Sequence, residues 1–257
     1  MLSRRERKLL RELHKRAPRA QSGRFLAEGR RVIEELLASP LRLEALVYTS
    51  SFEDSEGGQE VVGAAGQLGV RCERVDDREL SSYAATRHPQ GVIAVARVPE
   101  LSLDKITTEP EPAAVLLLDA VSDPGNLGTL VRTAEALGAT GVITLPGSAD
   151  AWGPKAVRAS AGSTFRLPVV EAGWPEAAGW LRARGFRILA ADAGGEPAGP
   201  ELAPKTALAV GSEGAGLSAG VLRDADAVVG VRLRGRAESL NVAAAAAILL
   251  HHILCRS

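Results

Sequence analysis

From residue 114 onward, short apolar runs alternate with helical runs, and that rhythm constrains the fold more than any other feature of the chain. Val115–Asp119, Gly141–Leu145, Arg187–Ala191, Thr206–Val210 and Ala227–Leu233 read as strands, several of them near-continuously apolar, as strands covered on both faces must be. Leu127–Leu137, Lys155–Ala161, Trp174–Arg184 and Val242–Leu254 read as helices, with Arg166–Val170 extended. Strands and helices in this order imply an α/β domain with a parallel sheet. Sheets of that kind place ligands beyond the carboxyl ends of their strands.

Upstream lies a smaller α/β unit, residues 21–106. Its expected elements are a helix at Arg31–Ala38, a strand at Leu43–Thr49, a helix at Glu60–Leu68 and a strand at Val70–Val75, then a short helix at Glu79–Ala84 and a β run at Gly91–Val98. Leu9, Leu10 and Leu13 mark an amphipathic helix in a basic extension, residues 1–20. Glu109-Pro110-Glu111-Pro112 breaks every periodicity, so a linker is expected at 107–113 and a second domain at 114–257.

Composition removes several functions. Cys72 and Cys255 are too few for a disulfide framework, and His14, His88, His251 and His252 form no ligand spacing, so no metal is expected. The longest apolar run, Val242–Leu250, is too short for a bilayer, and no signal peptide is visible, which implies a cytoplasmic protein. Basic and acidic residues balance at 31 each, yet residues 1–31 hold eleven basic side chains against three acidic ones. Arg4, Arg5, Lys8, Arg11, Arg24 and Arg30 are therefore candidate contacts to a nucleic acid; a solvated helix face is the other reading.

Three stretches carry the chemistry. In the first, the strand ending at Asp119 meets Ser122-Asp-Pro-Gly-Asn126, with Asn126 expected as the cap of a helix on which Leu127, Leu130, Val131, Ala134 and Leu137 share a face. Arg132 projects from nearly the opposite side of that helix. In the second, Leu208–Gly211 runs into Ser212-Glu213-Gly-Ala-Gly216-Leu-Ser218, a glycine-rich turn with one carboxylate. Gly214–Ala219 fits a dinucleotide fingerprint by letter, but it lies near the chain's end and no acidic residue closes the next strand, so a dinucleotide site is rejected. The third, Val231-Arg-Leu-Arg-Gly-Arg-Ala-Glu-Ser239-Leu240-Asn241, opens a helix beginning Val242 and five alanines. Either Ser239 or Asn241 can cap it, and the alanines permit close backbone approach.

Taken together, these stretches resemble the SpoU/TrmH family of RNA 2′-O-ribose methyltransferases in the SPOUT superfamily. The resemblance extends upstream, where Phe25-Leu-Ala-Glu-Gly29 and His88-Pro-Gln-Gly-Val92 look like the small RNA-recognition domain many members carry. It implies a carboxyl-terminal domain with a deep trefoil knot, an S-adenosylmethionine cofactor, an RNA substrate (ribosomal favoured over transfer RNA) and a homodimer that completes the site. By motif position, Gly211, Val231 and Leu240 are implied cofactor contacts, with Leu233 and Ala191 lining the same pocket. Arg132 is the implied central catalytic residue, with Asn126, Glu213, Ser239 and Asn241 orienting hydroxyl, arginine and loops. The third motif usually opens Ile-Pro-Met; here Arg232 stands in place of the proline, between Val231 and Leu233. A catalytically inactive RNA-binding protein of the same fold is the alternative, against which these five polar residues argue.

Overall fold

The computed structural model describes residues 2–197 and 203–255 and divides into two compact units. The first runs to Glu100 and also takes in Asp150–Phe165; the second comprises Leu101–Ala149 and the chain from Arg166 onward. The first contains α1 (Arg4–Glu12), α2 (Arg16–Ser22), β1 (Arg24–Glu28), α3 (Arg30–Leu37), β2 (Leu43–Tyr48), α4 (Ser50–Glu53), α5 (Gly58–Gln67), β3 (Arg71–Arg74), α6 (Asp77–Ser81) and β4 (Val92–Arg97). The chain continues through β5 (Ala113–Asp119), α7 (Pro124–Ala136) and β6 (Gly141–Thr144), then α8 (Pro154–Ser160), which belongs to the first unit. β7 (Val169–Glu171), α9 (Trp174–Ala183), β8 (Arg187–Pro197), β9 (Lys205–Gly211), α10 (Ala219–Asp224), β10 (Ala227–Gly230) and α11 (Val242–Leu254) complete it.

In the first unit, four strands are ordered β1-β4-β2-β3, with β4 antiparallel to both neighbours and β2 parallel to β3. A capping box starts α1: the Ser3 hydroxyl accepts the Glu6 N–H, and the Glu6 carboxylate accepts the Ser3 N–H at 2.7 Å. Leu10 and Leu13 are buried among Leu26, Leu80, Tyr83 and Ile93, so α1 folds as part of this unit's core. Burial and the Glu79 carboxylate, 2.6 Å from its hydroxyl, push the Tyr83 phenol up to about 12, so this seam stays a neutral donor through ordinary pH.

β1 is not among the strands expected from the sequence. Its residues Phe25–Glu28 are all buried, which hides the alternation that marks a half-exposed strand. One cover comes from far along the sequence: the Phe25 ring lies 4.8 Å from Trp152 and 5.8 Å from Phe165. Nearby, buried Arg19 donates to Asp150 Oδ2 at 2.6 and 2.9 Å and to the Leu13 carbonyl at 2.8 Å. Removing one partner strands the other charge away from water. Asp150→Ala is therefore expected to lower unfolding stability by about 3 kcal/mol in urea titrations, and a loss under about 1 kcal/mol would contradict this role.

The second unit holds a six-stranded, wholly parallel sheet ordered β10-β8-β9-β5-β6-β7. Every residue of β5 is buried, as a central strand of such a sheet requires. Because β9 inserts between β8 and β5, the direction of winding changes there, and a crevice opens at the carboxyl ends of these strands.

Candidate functional site

α7 begins earlier than its apolar face implies. Its cap is Asp123, whose Oδ1 accepts the Asn126 N–H at 2.9 Å, with Pro124 in the first turn. Proline fits there because its missing N–H costs nothing and its φ is already helical. Asn126 is thus corrected from a cap to a residue inside the first turn, which frees its side chain. Asn126 Nδ2 donates to Glu213 Oε1 in the loop after β9. At the other helix, Asn241 caps α11, its Oδ1 accepting the Ala243 N–H at 2.9 Å. That bond turns the Asn241 amide donor toward Asn126 Oδ1 and Glu213 Oε1, each 3.3 Å away. Three side chains far apart in sequence thereby form one hydrogen-bonded cluster, in which the donors converge on Glu213 Oε1.

Beside this cluster lies a cleft of about 470 Å³ whose lining includes Ala191, Gly211, Val231, Leu233 and Leu240, together with Glu213, Ser239 and Asn241. Its floor depends on glycine. A Cβ on Gly211 would run into the Gly216 backbone, where the Ser212–Gly216 turn closes through bonds of 3.0 and 3.1 Å. One on Gly230 would stand 2.6 Å from the Gly195 carbonyl oxygen. β10 stops at Gly230, three residues before the expected end, and residues 231–241 leave the sheet as the cleft's wall. β8 runs six residues beyond its expected end at Ala191: its pairing with β10 jumps from Ala190 to Glu196, and the bulge between them adds Ala191, Asp192 and Ala193 to the cleft's lining.

Two carboxylates escaped the sequence reading. Asp192 lines the cleft, and buried Asp119 accepts the Ser218 N–H at 2.6 Å, which fixes the far end of the glycine-rich loop. Asp119 closes its strand, a position that could have flagged it; Asp192 depends on a bulge that no local pattern announces.

Arg132 stands apart. It is exposed on α7, about 9 Å along the axis and about 120° around from Asn126 by helical geometry, and belongs to neither the cleft wall nor the cluster among the described residues. The candidate basic residues also separate. Arg4, Arg5, Lys8 and Arg11 are exposed on α1, Lys8 lying 3.7 Å from Glu12 and Arg11 over the Tyr83 ring at 5.4 Å. Half-buried Arg24 is paired with Glu44, while Arg30 reaches the Glu56 carbonyl at 3.1 Å and Glu34 at 3.6 Å. No group of three or more metal-ligating side chains occurs among the described residues, and no helix there is long and apolar enough to cross a membrane.

A parallel α/β sheet with glycine-lined loops gathered over its strand ends is a ligand-binding architecture of the open-sheet class. Residues 113–251 match the SpoU rRNA methylase family, and residues 6–94 match the MRM3-like substrate binding domain. The chain belongs to the SpoU rRNA methylase family. It is 37% identical over 245 residues to the 23S rRNA (guanosine(2553)-2′-O)-methyltransferase RlmP of Bacillus subtilis, covering 94% of this chain and 93% of that one. Among solved structures, it is similar to the AdoMet-bound SpoU methyltransferase AviRb of Streptomyces viridochromogenes, with TM-score 0.86, 31% identity and coverage of 99% and 98%. The AdoMet-bound rRNA methyltransferase of Sinorhizobium meliloti gives TM-score 0.85, 29% identity and coverage of 98% and 95%.

Proposed function

We propose that this protein transfers a methyl group from S-adenosylmethionine to a ribose 2′-hydroxyl of ribosomal RNA, working as a homodimer in the cytoplasm. One observation carries the reading: the Asn126–Glu213–Asn241 cluster lies at the edge of a cleft whose size and lining suit a nucleoside-bearing cofactor. Its volume falls in the range of small-molecule sites. Val210, Val229 and Leu249 offer apolar surface, and Asp192 and Glu213 offer negative charge to a cationic sulfonium. Among the described residues, no main-chain N–H from Arg232 to Leu240 finds a protein acceptor, which leaves a row of donors for a heterocycle edge. Gly211, Val231, Leu233, Leu240 and Ala191 would hold the cofactor, and the carboxyl-terminal segment that carries these loops would be knotted as in the family.

When bound, S-adenosylmethionine supplies a methyl group already activated by its sulfonium. The chain's task is then to present the oxygen in line and stabilise it as its proton departs. Asn126 and Asn241 load Glu213 Oε1 only, which leaves Glu213 Oε2 to accept the hydrogen bond of the sugar hydroxyl. Ser239 lines the same wall and orients the sugar. Arg132 holds the adjoining phosphate and stabilises negative charge on the oxygen; its guanidinium carries only donors and offers no lone pair to act as a base.

The placement of Arg132 off its own cleft favours a dimer in which it serves the partner's site. α11 also exposes Ala244 and Ile248, the latter 48% accessible, on a face suited to self-association. For RNA, the α1 cations act through phosphates. The Arg4→Gln/Arg5→Gln/Lys8→Gln variant is expected to reduce the salt dependence of rRNA binding by about 2–3 in log–log slope. Arg24→Gln, already committed to Glu44, changes it little; the reverse order in filter-binding titrations would overturn this assignment. The function itself is tested by mapping ribose methylation across total RNA from cells with and without the protein. A single 2′-O-methyl site in ribosomal RNA that vanishes with it is expected, and identical maps would refute it.

A further inference from the structure

The two upstream motifs, Phe25–Gly29 and His88–Val92, meet around one buried acid. Glu28 is 6% exposed, and among the described residues no cation faces it. Its Oε2 accepts the Ala85 N–H at 2.8 Å and its Oε1 accepts the Thr86 hydroxyl, so both oxygens are spent on one end of a surface loop. The other end is fixed as firmly. Gln90 Oε1 accepts the Arg30 N–H at 2.9 Å, and the Gly91 carbonyl accepts the Thr49 N–H at 2.9 Å. Gly91 has φ 78°, and a Cβ there would stand 2.7 Å from Thr49 Oγ1 and 3.0 Å from Phe52 Cβ. Between these anchors only Arg87, His88 and Pro89 remain. Arg87 and His88 are exposed and have no hydrogen-bond or ion-pair partner among the described residues, and proline stiffens the tip.

Burying a carboxylate without a cation is costly and is tolerated where its hydrogen bonds hold something in a required shape. Here the thing held is not core but two exposed side chains, a guanidinium and an imidazole. A rigid scaffold that displays free polar groups on a loop is the usual architecture of a recognition surface. We propose that the loop at Arg87–Pro89 is an RNA contact of the first unit, with Arg87 on a phosphate and His88 against an adjoining nucleotide, and that Glu28 is its positioning residue. This rests on the reading of the chain as an enzyme acting on RNA.

Filter binding of deproteinised 23S rRNA by the full-length protein, across a salt series, tests it. The R87A/H88A variant is expected to bind about tenfold more weakly. Its log–log salt slope should fall by about 1, the share of one phosphate contact. Glu28→Gln keeps both side chains but loosens the loop, so it loses affinity too. Adding R87A/H88A to it costs nothing beyond R87A/H88A alone, a non-additivity that general destabilisation would not produce. S-adenosylmethionine affinity, measured calorimetrically, reports that each variant is folded. Should Glu28→Gln fail to fold, R87A/H88A decides alone. Wild-type affinity and slope in R87A/H88A, or full additivity with Glu28→Gln, would overturn the loop's role while leaving the enzyme reading intact. A wild-type protein that does not retain 23S rRNA would instead overturn that reading.

Discussion

Arg132→Ala is expected to lower methyl transfer to ribosomal RNA by about 10²–10³ in kcat while S-adenosylmethionine binds within about twofold of wild type. The size follows from the charge that develops on a sugar oxygen losing its proton, which a fixed guanidinium stabilises far better in a water-poor site than in bulk water. The selectivity follows from place. Arg132 sits on α7, outside the cleft wall, so its removal leaves the cofactor-facing residues untouched. Single-turnover transfer paired with calorimetric titration separates the two effects. Near-full turnover would remove Arg132 from the chemistry, and a parallel loss of cofactor affinity would relocate it to the cleft.

A second large effect concerns where Arg132 acts. If each site draws its arginine from the partner subunit, two dead variants can rescue one another. Ala191→Phe fills the cleft from its wall and Arg132→Ala removes the cation, so each homodimer should be nearly inactive. In a mixed dimer, one site combines the intact cleft of one subunit with the intact Arg132 of the other. Co-expression at equal levels should therefore restore roughly a quarter of wild-type activity, since half the dimers are mixed and each has one working site. Under action within one subunit, each site in a mixed dimer lacks one of the two parts, and activity stays at the level of the parents. A monomer at assay concentrations in analytical ultracentrifugation would also defeat the shared site.

The cleft-bearing unit was the more legible half because its signals are local and reinforce one another. α11 runs over Val242–Leu254 as read, since an uninterrupted apolar run follows an asparagine able to cap it. β5, β6 and β9 are buried on both faces and announce themselves as apolar runs. What escaped was set by partners distant in sequence. β1 looks like no half-exposed strand because residues 150–165 cover it, and their affiliation with the first unit has no marker in their own composition. The cap of α7 moved from Asn126 to Asp123 because both residue types cap well, and only the position of Pro124 separates them. β8 outran its expected end because Ala193-Gly-Gly195 reads as a turn, yet the strand resumes its pairing after the bulge. The short α10 was missed, as six residues offer little more than one turn of periodicity. At the site, Arg132 was evident as a residue type in a motif; the Asn126–Glu213–Asn241 cluster was not, because it is assembled from three segments distant in sequence.

The chemical claim is tested most directly by incubating purified protein with methyl-tritiated S-adenosylmethionine and unmodified 23S rRNA, then digesting the product to nucleosides. Label is expected in a single 2′-O-methylated nucleoside, and the phosphodiester on its 3′ side should resist alkali. Label in a methylated base, or none in RNA from a protein that binds both reactants, would contradict a cleft built to bring a sulfonium methyl to a sugar oxygen.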